Sequence, residues 1–200
     1  MLKFPTKKLV IASHNEGKVK EIRELVLPLG FAVATARELK LPEPEETGAT
    51  FVANSQVKAK EIAAASNLPS LADDSGLVVP ALNGDPGIFS ARWAEVAPGK
   101  RDFDFAINKV GELLHFRNTP ASMVCVLSIA WPDGTCHSFE GIIQGTLQFP
   151  PRGTKGFGYD PIFMPEGFDQ TFGEMDPAFK HSISHRAQAF ALFLEYLKGE

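Results

Sequence analysis

Little in this chain could staple it, anchor it or give it one dominant charge. Its 200 residues include only two cysteines, Cys125 and Cys136, which flank a Pro132-Asp133-Gly134 turn. A single disulfide between them is conceivable, but the N-terminal MLKFPTKKLV lacks the long apolar core of a signal peptide. The expected compartment is therefore the cytoplasm, and the expected state of both cysteines is a core thiol. No apolar run approaches the length needed to span a bilayer, so no membrane partner is expected. The net charge of −4 argues against a general nucleic-acid surface, and any recognition of phosphate must be local. What is present, 44% hydrophobic and 22% charged residues, excludes disorder and suits one globular unit over residues 1–200 with room for two lobes.

The stretch from Leu71 to Trp93, LADDSGLVVPALNGDPGIFSARW, organises the reading of the rest. An apolar run ending in two carboxylates predicts a buried strand that delivers Asp73 and Asp74 to a sheet edge, with Ser75 and Gly76 turning tightly beside them. Side chains alternate along a strand, so the two acids point in different directions. One can face a cleft for metal binding or water activation while the other ties down backbone. Taken alone, Asp-Asp-Ser-Gly reads equally well as a polar turn, since these residue types favour turns for backbone reasons. A second cluster of turn residues, Asn83 to Gly87, follows closely and argues for a shaped surface.

Taken in order, KLVIAS (Lys8–Ser13) predicts a buried strand, and Lys18 to Leu29 a helix with Ile22, Leu25, Val26 and Leu29 on one face. Between them, Ser13-His14-Asn15-Glu16-Gly17-Lys18 feeds a helix N-terminus, where free N–H groups and the dipole form an anion site and Lys18 adds a full charge. The spacing is not that of a Walker loop, and Ser13 and Asn15 also suit plain helix caps. Phe31 to Ala36 predicts a strand, Glu43 to Gly48 an acidic loop, Thr50 to Ser66 a helix carrying Lys58 and Lys60, and Phe103 to Leu114 another helix. Ile88 to Ala94 is ambiguous. Ser122 to Trp131 and Cys136 to Leu147 surround Asp133-Gly134 as a hairpin. Early strand–helix units followed by a meander point to a mixed α/β sheet. In Gly153 to Pro161, Phe157 and Tyr159 stand between glycines as two exposed aromatics, suggesting a stacking platform, although Phe157 also suits the core. Ser184 suits a helix N-cap, which puts His185 and Arg186 in the first turn of a helix whose Phe190, Phe193, Leu194 and Leu197 face inward. Cations oppose the dipole there, a local conflict of the kind found at functional sites.

Five segments in order, SHNEGKVKEI, EETGATFVANSQVKAK, LADDSGLVVPALNGDPGIFSARW, GFGYDPIF and KHSISHRAQA, resemble the HAM1-like family of noncanonical purine nucleoside triphosphate pyrophosphatases, also called dITP/XTP or inosine triphosphate pyrophosphatases. The resemblance implies an elongated, two-lobed α/β fold whose mixed β-sheet is flanked by helices, with a central active-site cleft. It also implies a homodimer and Mg²⁺-dependent hydrolysis of a purine nucleoside triphosphate to monophosphate and pyrophosphate. By motif, Ser13 to Lys18 resembles the triphosphate loop, Lys58 a phosphate ligand, Asp74 the catalytic acid that also meets the metal, with Ser75 beside it, and Glu46 the magnesium carboxylate, with Glu43 and Glu45 close enough to leave that ligand open. Phe157, Gly158, Tyr159 and Asp160 would hold the base, and Lys180, His185 and Arg186 complete the base and phosphate contacts. His14 stands where a small residue is common, and Ala53 with Ser55 departs from the usual Glu and Ala. A Maf-like nucleotide pyrophosphatase and a nucleotide-binding regulator without turnover are the competing readings.

Overall fold

The computed structural model describes residues 7–199. In chain order the elements are β1 (Lys8–Ile11), α1 (Glu16–Val26), β2 (Ala32–Thr35), α2 (Phe51–Ser66), β3 (Ser70–Val78), α3 (Ser90–Trp93), β4 (Glu95–Ala97), β5 (Lys100–Arg101), α4 (Phe103–Leu113), β6 (Thr119–Ala130), β7 (Cys136–Leu147), β8 (Phe163–Pro165), α5 (Pro177–Ile183) and α6 (His185–Lys198). Six strands form a mixed sheet in the order β2-β1-β3-β6-β7-β8, and β4 pairs with β5. The expected α/β class, a mixed sheet flanked by helices, is what the chain adopts. Among the described residues no helix is long and apolar enough to cross a membrane.

The chain divides into two compact units. Among the described residues, the first comprises 7–74, 125–141 and 186–199, and the second 75–124 and 142–185. In the first, β1 runs parallel to both β2 and β3. Strands covered on both faces read as continuous apolar runs, which is why KLVI shows no alternation. On one face Leu9, Ile11, Leu71, Cys125, Leu127 and Ile129 pack with Ile22 and Val26 of α1 and Phe190, Phe193 and Leu197 of α6. On the other, Val10, Ala12, Ala72 and Ala130 meet Ala59, Ile62 and Ala63 of α2. The small residues of α2 let its backbone lie close to the sheet. Ser55 fixes that approach, its buried hydroxyl donating to Val126 O at 3.0 Å.

The Leu71 segment corrects one expectation. Asp73 and Asp74 lie inside a nine-residue strand, and Ser75 and Gly76 continue it instead of turning. β3 is a central strand, lying between β1 and β6. Its register with β1 covers Val10↔Ser70 and Ile11↔Leu71, and β1 ends there. The two aspartates therefore sit just past the carboxyl end of a parallel strand whose neighbours lie on either side, the position at which open α/β sheets leave a crevice for ligands.

In the second unit, Leu77, Val79, Ile107, Val110, Met123, Leu147, Ile162, Phe163 and Phe172 form the core. Asp102 caps α4 through Asp104 N and Phe105 N, and Asp176 caps α5 through Ala178 N and Phe179 N.

Candidate active site

Strand alternation continues through the acid pair. Leu71 belongs to the face covered by α1 and α6, and Asp73 pairs with Lys18 of α1 and Arg186 of α6. Ala72 belongs to the face covered by α2, and Asp74 pairs with Lys58 of α2. The predicted divergence of the two carboxylates thus follows from the strand period of two.

Lys58 sits on the buried stripe of α2 formed by Asn54, Ser55, Lys58, Ala59, Ile62 and Ala63. Its Nζ donates to Asp74 Oδ1 at 2.9 Å and to Glu46 Oε1 at 2.8 Å. Burial works to lower the Lys58 pKa, but the two carboxylates outweigh it and the net shift is upward. For Asp74 the largest influence is again burial, which raises the pKa. The charges of Lys58 and Lys18 pull it down and that of Glu46 pushes it up, leaving it above the ordinary carboxylate value. Its second oxygen, Oδ2, is buried with no hydrogen-bond partner among the described residues.

Glu46 reaches this position because its loop is pinned. Gly48 N donates to the buried Oδ1 of Asn54 at 2.8 Å. A Cβ on Gly48 would lie 2.6 Å from Ala53 Cβ and 2.7 Å from Asn54 Oδ1, so the approach requires glycine. Glu43 and Glu45 are exposed, and it is Glu46 that meets Lys58.

The Ser13–Lys18 segment turns into α1 as expected. Asn15 is its N-cap, accepting from Lys18 N, while Ser13 Oγ accepts from Asn15 N. The first-turn N–H groups of Glu16 and Gly17 have no intrahelical acceptor by the geometry of a helix start. Glu16 pairs with Arg37 on the exposed surface, and His14 Nε2 lies 3.1 Å from Leu41 O, tying the loop to the segment after β2. Lys18 Nζ lies 2.7 Å from Asp73 Oδ1.

Asp73 is held more tightly than sequence reasoning foresaw. Its Oδ2 accepts from Arg186 Nε at 2.8 Å and from Cys125 Sγ at 3.1 Å. Burial by itself would raise its pKa, but Arg186 and Lys18 dominate and hold it well below the usual range. The Cys125 thiol is pushed well upward by burial and by the adjacent Asp73 charge, so it remains a donor. Arg186 Nη1 also pairs with Glu21, and Arg186 is only 2% exposed. Glu21 and Cys125 are additions to the predicted set. Their signals were an acid beside the apolar face of α1 and a cysteine in phase with Leu127 and Ile129.

The remaining predicted residues lie in the second unit, apart from Arg186. Asp160 Oδ2 accepts from Phe157 N at 2.8 Å and from Lys180 Nζ at 2.6 Å, and both side chains of that ion pair are 3% exposed. The Lys180 ammonium lies 5.1 Å from the Phe157 ring centroid and 5.5 Å from that of Phe172, whose ring stacks against His185 at 6.5 Å. Gly156 has φ +74°, and a Cβ there would come within 2.0 Å of Asp160 Oδ2. One expectation changes here. Tyr159 is not an exposed aromatic: it is buried, donates to Ser90 O at 3.0 Å and meets Phe103 edge to face. Phe157 and Gly158 are half-buried, as is Ser75 on β3.

Two carboxylates, Glu46 and Asp74, the second with a buried oxygen that has no hydrogen-bond partner, fit the needs of Mg²⁺, which takes one or two carboxylates and completes its shell with water and phosphate oxygens. Among the described residues no group of three or more His, Cys, Asp or Glu side chains could hold a metal. A cation here would depend on its ligand for the rest of its shell.

Comparison with known proteins identifies the family. Residues 9–196 match the profile of the Ham1 family. A dITP/XTP pyrophosphatase of Caulobacter vibrioides is 56% identical over 92% of this chain and 94% of its own, and one of Agrobacterium fabrum is 50% identical over 98% of each. A HAM1 protein from Coxiella burnetii superposes with a TM-score of 0.86 at 37% identity, covering 96% of this chain and 99% of its own. With a profile match over nearly its whole length and relatives at half identity or better, the chain belongs to the Ham1 family.

Proposed function

We propose that this protein hydrolyses deaminated purine nucleoside triphosphates, dITP, ITP and XTP, to the monophosphate and pyrophosphate. The observation that carries the reading is the Lys58 ammonium joined to Glu46 and Asp74, with Asp74 Oδ2 buried and without a hydrogen-bond partner. The names of relatives about half identical over nearly the full chain support the substrate class.

In the proposed reaction the N-terminal turn of α1, with the Lys18 ammonium, binds phosphate oxygens through N–H donors and positive charge. Lys58 fixes Asp74 through Oδ1 and leaves Oδ2 to accept a proton from water. The raised pKa of Asp74 suits it to that task, since a more basic carboxylate is the better proton acceptor. Water then adds to phosphorus and the pyrophosphate departs, its growing charge offset by Lys18 and Lys58. Glu46 and Asp74 would hold Mg²⁺, which supplies charge neutralisation on the phosphates and lowers the pKa of bound water. Phe157 would stack on the base, and donors from Lys180 and His185, in place of Arg186 whose buried guanidinium is held by Asp73 and Glu21, would meet the 6-oxo acceptor that distinguishes inosine and xanthine from adenine. Unsatisfied buried donors penalise the wrong base strongly, by ~10⁴ in favourable cases. We also propose that the enzyme acts as a homodimer in the cytoplasm.

The test is pyrophosphate release from ITP, dITP, XTP, GTP and dTTP, with and without Mg²⁺. Turnover confined to ITP, dITP and XTP and dependent on Mg²⁺ is expected. A preference for dTTP or GTP would replace the substrate assignment, and nucleotide binding without turnover would replace the enzyme. Sedimentation at twice the chain mass checks the dimer.

A further inference from the structure

The two aspartates of β3 differ in how fully their oxygens are engaged. Asp74 leaves an oxygen without a hydrogen-bond partner, whereas the Asp73 side chain is fully buried and collects Lys18, Arg186 and Cys125. Both oxygens of Asp73 are taken up by these partners and its side chain is 0% exposed, so none is offered to a substrate. Lys18 is different, because its side chain is 13% exposed while its ammonium lies 2.7 Å from Asp73 Oδ1. It is tethered and still accessible.

We propose that Asp73 is a positioning residue for the phosphate-binding step, acting through Lys18 and contacting no part of the substrate. The proposal rests on the pyrophosphatase reading above. A lysine is a point charge on a four-carbon stem with freely rotating bonds, and one left free must be immobilised each time a ligand binds. Asp73 removes that freedom beforehand, holding the ammonium beside the N-terminal turn of α1. Asp73 is itself held, since Arg186 pairs with both Asp73 and Glu21. Glu21 and Lys18 are three residues apart on α1 and so share a face of the helix. The order Lys18, Asp73, Arg186, Glu21 alternates in charge and begins and ends on α1, which ties the orientation of that helix, and the direction of its N–H groups, to the buried carboxylate on β3.

A double-mutant cycle on ITP hydrolysis separates this role from a purely structural one. Asp73→Asn is expected to lower kcat/KM by about tenfold or more, chiefly through KM, and to change it by less than about twofold when Lys18 is already Ala. Multiplicative losses, or a fall in kcat that persists in Lys18→Ala, overturn the proposal, the first marking an independent structural residue and the second a participant in chemistry. A second measurement needs neither a folded Asp73 variant nor turnover: ¹⁵N relaxation of the Lys18 ammonium in the parent protein, assigned with Lys18→Gln. A restricted ammonium before nucleotide is added is expected, and a freely reorienting one overturns the proposal. If the parent does not hydrolyse ITP, the pyrophosphatase reading fails while the relaxation experiment still decides whether Asp73 holds Lys18.

Discussion

Replacing Asp74 by Asn changes two atoms of its environment in opposite senses. Asn Oδ1 can still accept from Lys58 Nζ, which now lies 2.9 Å from Asp74 Oδ1. The NH₂ group that takes the place of Oδ2 can accept no proton and repels any cation, and Oδ2 is the oxygen without a partner. General-base contributions of ~10²–10⁴ set the scale, so kcat on ITP is expected to fall by at least about 100-fold, roughly 2.7 kcal/mol or more of barrier. Stability should move the other way. The folded pKa of Asp74 is raised, so above the unfolded value its ionisation costs the folded state free energy, a cost absent at lower pH and present at neutral pH. An amide removes it, and Tm near neutral pH is expected to stay level or rise. The assay is steady-state pyrophosphate release beside thermal unfolding at the same pH. Turnover within tenfold of the parent refutes the base assignment, and lost turnover with a marked fall in Tm shows that Asp74 serves the fold.

Lys58→Ala should lower kcat/KM on ITP by about tenfold or more and lower Tm as well, because Glu46 and Asp74 lose their shared counter-charge; steady-state kinetics and thermal unfolding check both. Gly156→Ala places a side chain at φ +74° against the Asp160 carboxylate and is expected to cost about 2 kcal/mol or more, read as a lower denaturation midpoint. The depressed pKa of Asp73 contributes stability above the unfolded carboxylate value near 3.9 that is lost as pH falls through the folded value, so the parent's stability should drop below about pH 4 more steeply than that of Asp73→Asn in acid unfolding curves.

Much of the fold was legible because each early element carries a local signal. KLVI is continuous and apolar as a doubly covered parallel strand should be, Ile22 and Val26 fall on the buried face of α1, and Thr50 and Asp102 cap α2 and α4. The misread stretch was Asp73 to Gly76, where polar residues suggest a turn and the chain nonetheless stays extended. Nothing local explains this, because the groups that make two buried carboxylates tolerable come from residues 18, 58 and 186. Tyr159 misled for a related reason. Its flanking glycines suggest exposure, yet the positive φ of Gly156 and Gly158 belongs to a turn in which the phenol is buried and meets Ser90 O. Lys58 was legible in hindsight, since it falls four residues after Asn54 and four before Ile62 on a single buried stripe.

Arg186 is where the local and the long-range arguments meet. A cation in the first turn of α6 opposes the helix dipole, and the sequence marked that conflict without indicating its resolution. In the structure two carboxylates resolve it, Asp73 from β3 and Glu21 from α1, while α6 contributes Phe190 and Phe193 to the same packed face. Burying such charges is a poor route to stability, because desolvation cancels much of the attraction, and apolar residues of similar volume often serve a core as well or better. An apolar replacement, however, could not orient an ammonium. The buried charges are best understood through what they fix: a guanidinium anchored at two points holds Asp73 in one rotamer, and Asp73 in turn gives Lys18 a defined position at the turn where phosphate would bind.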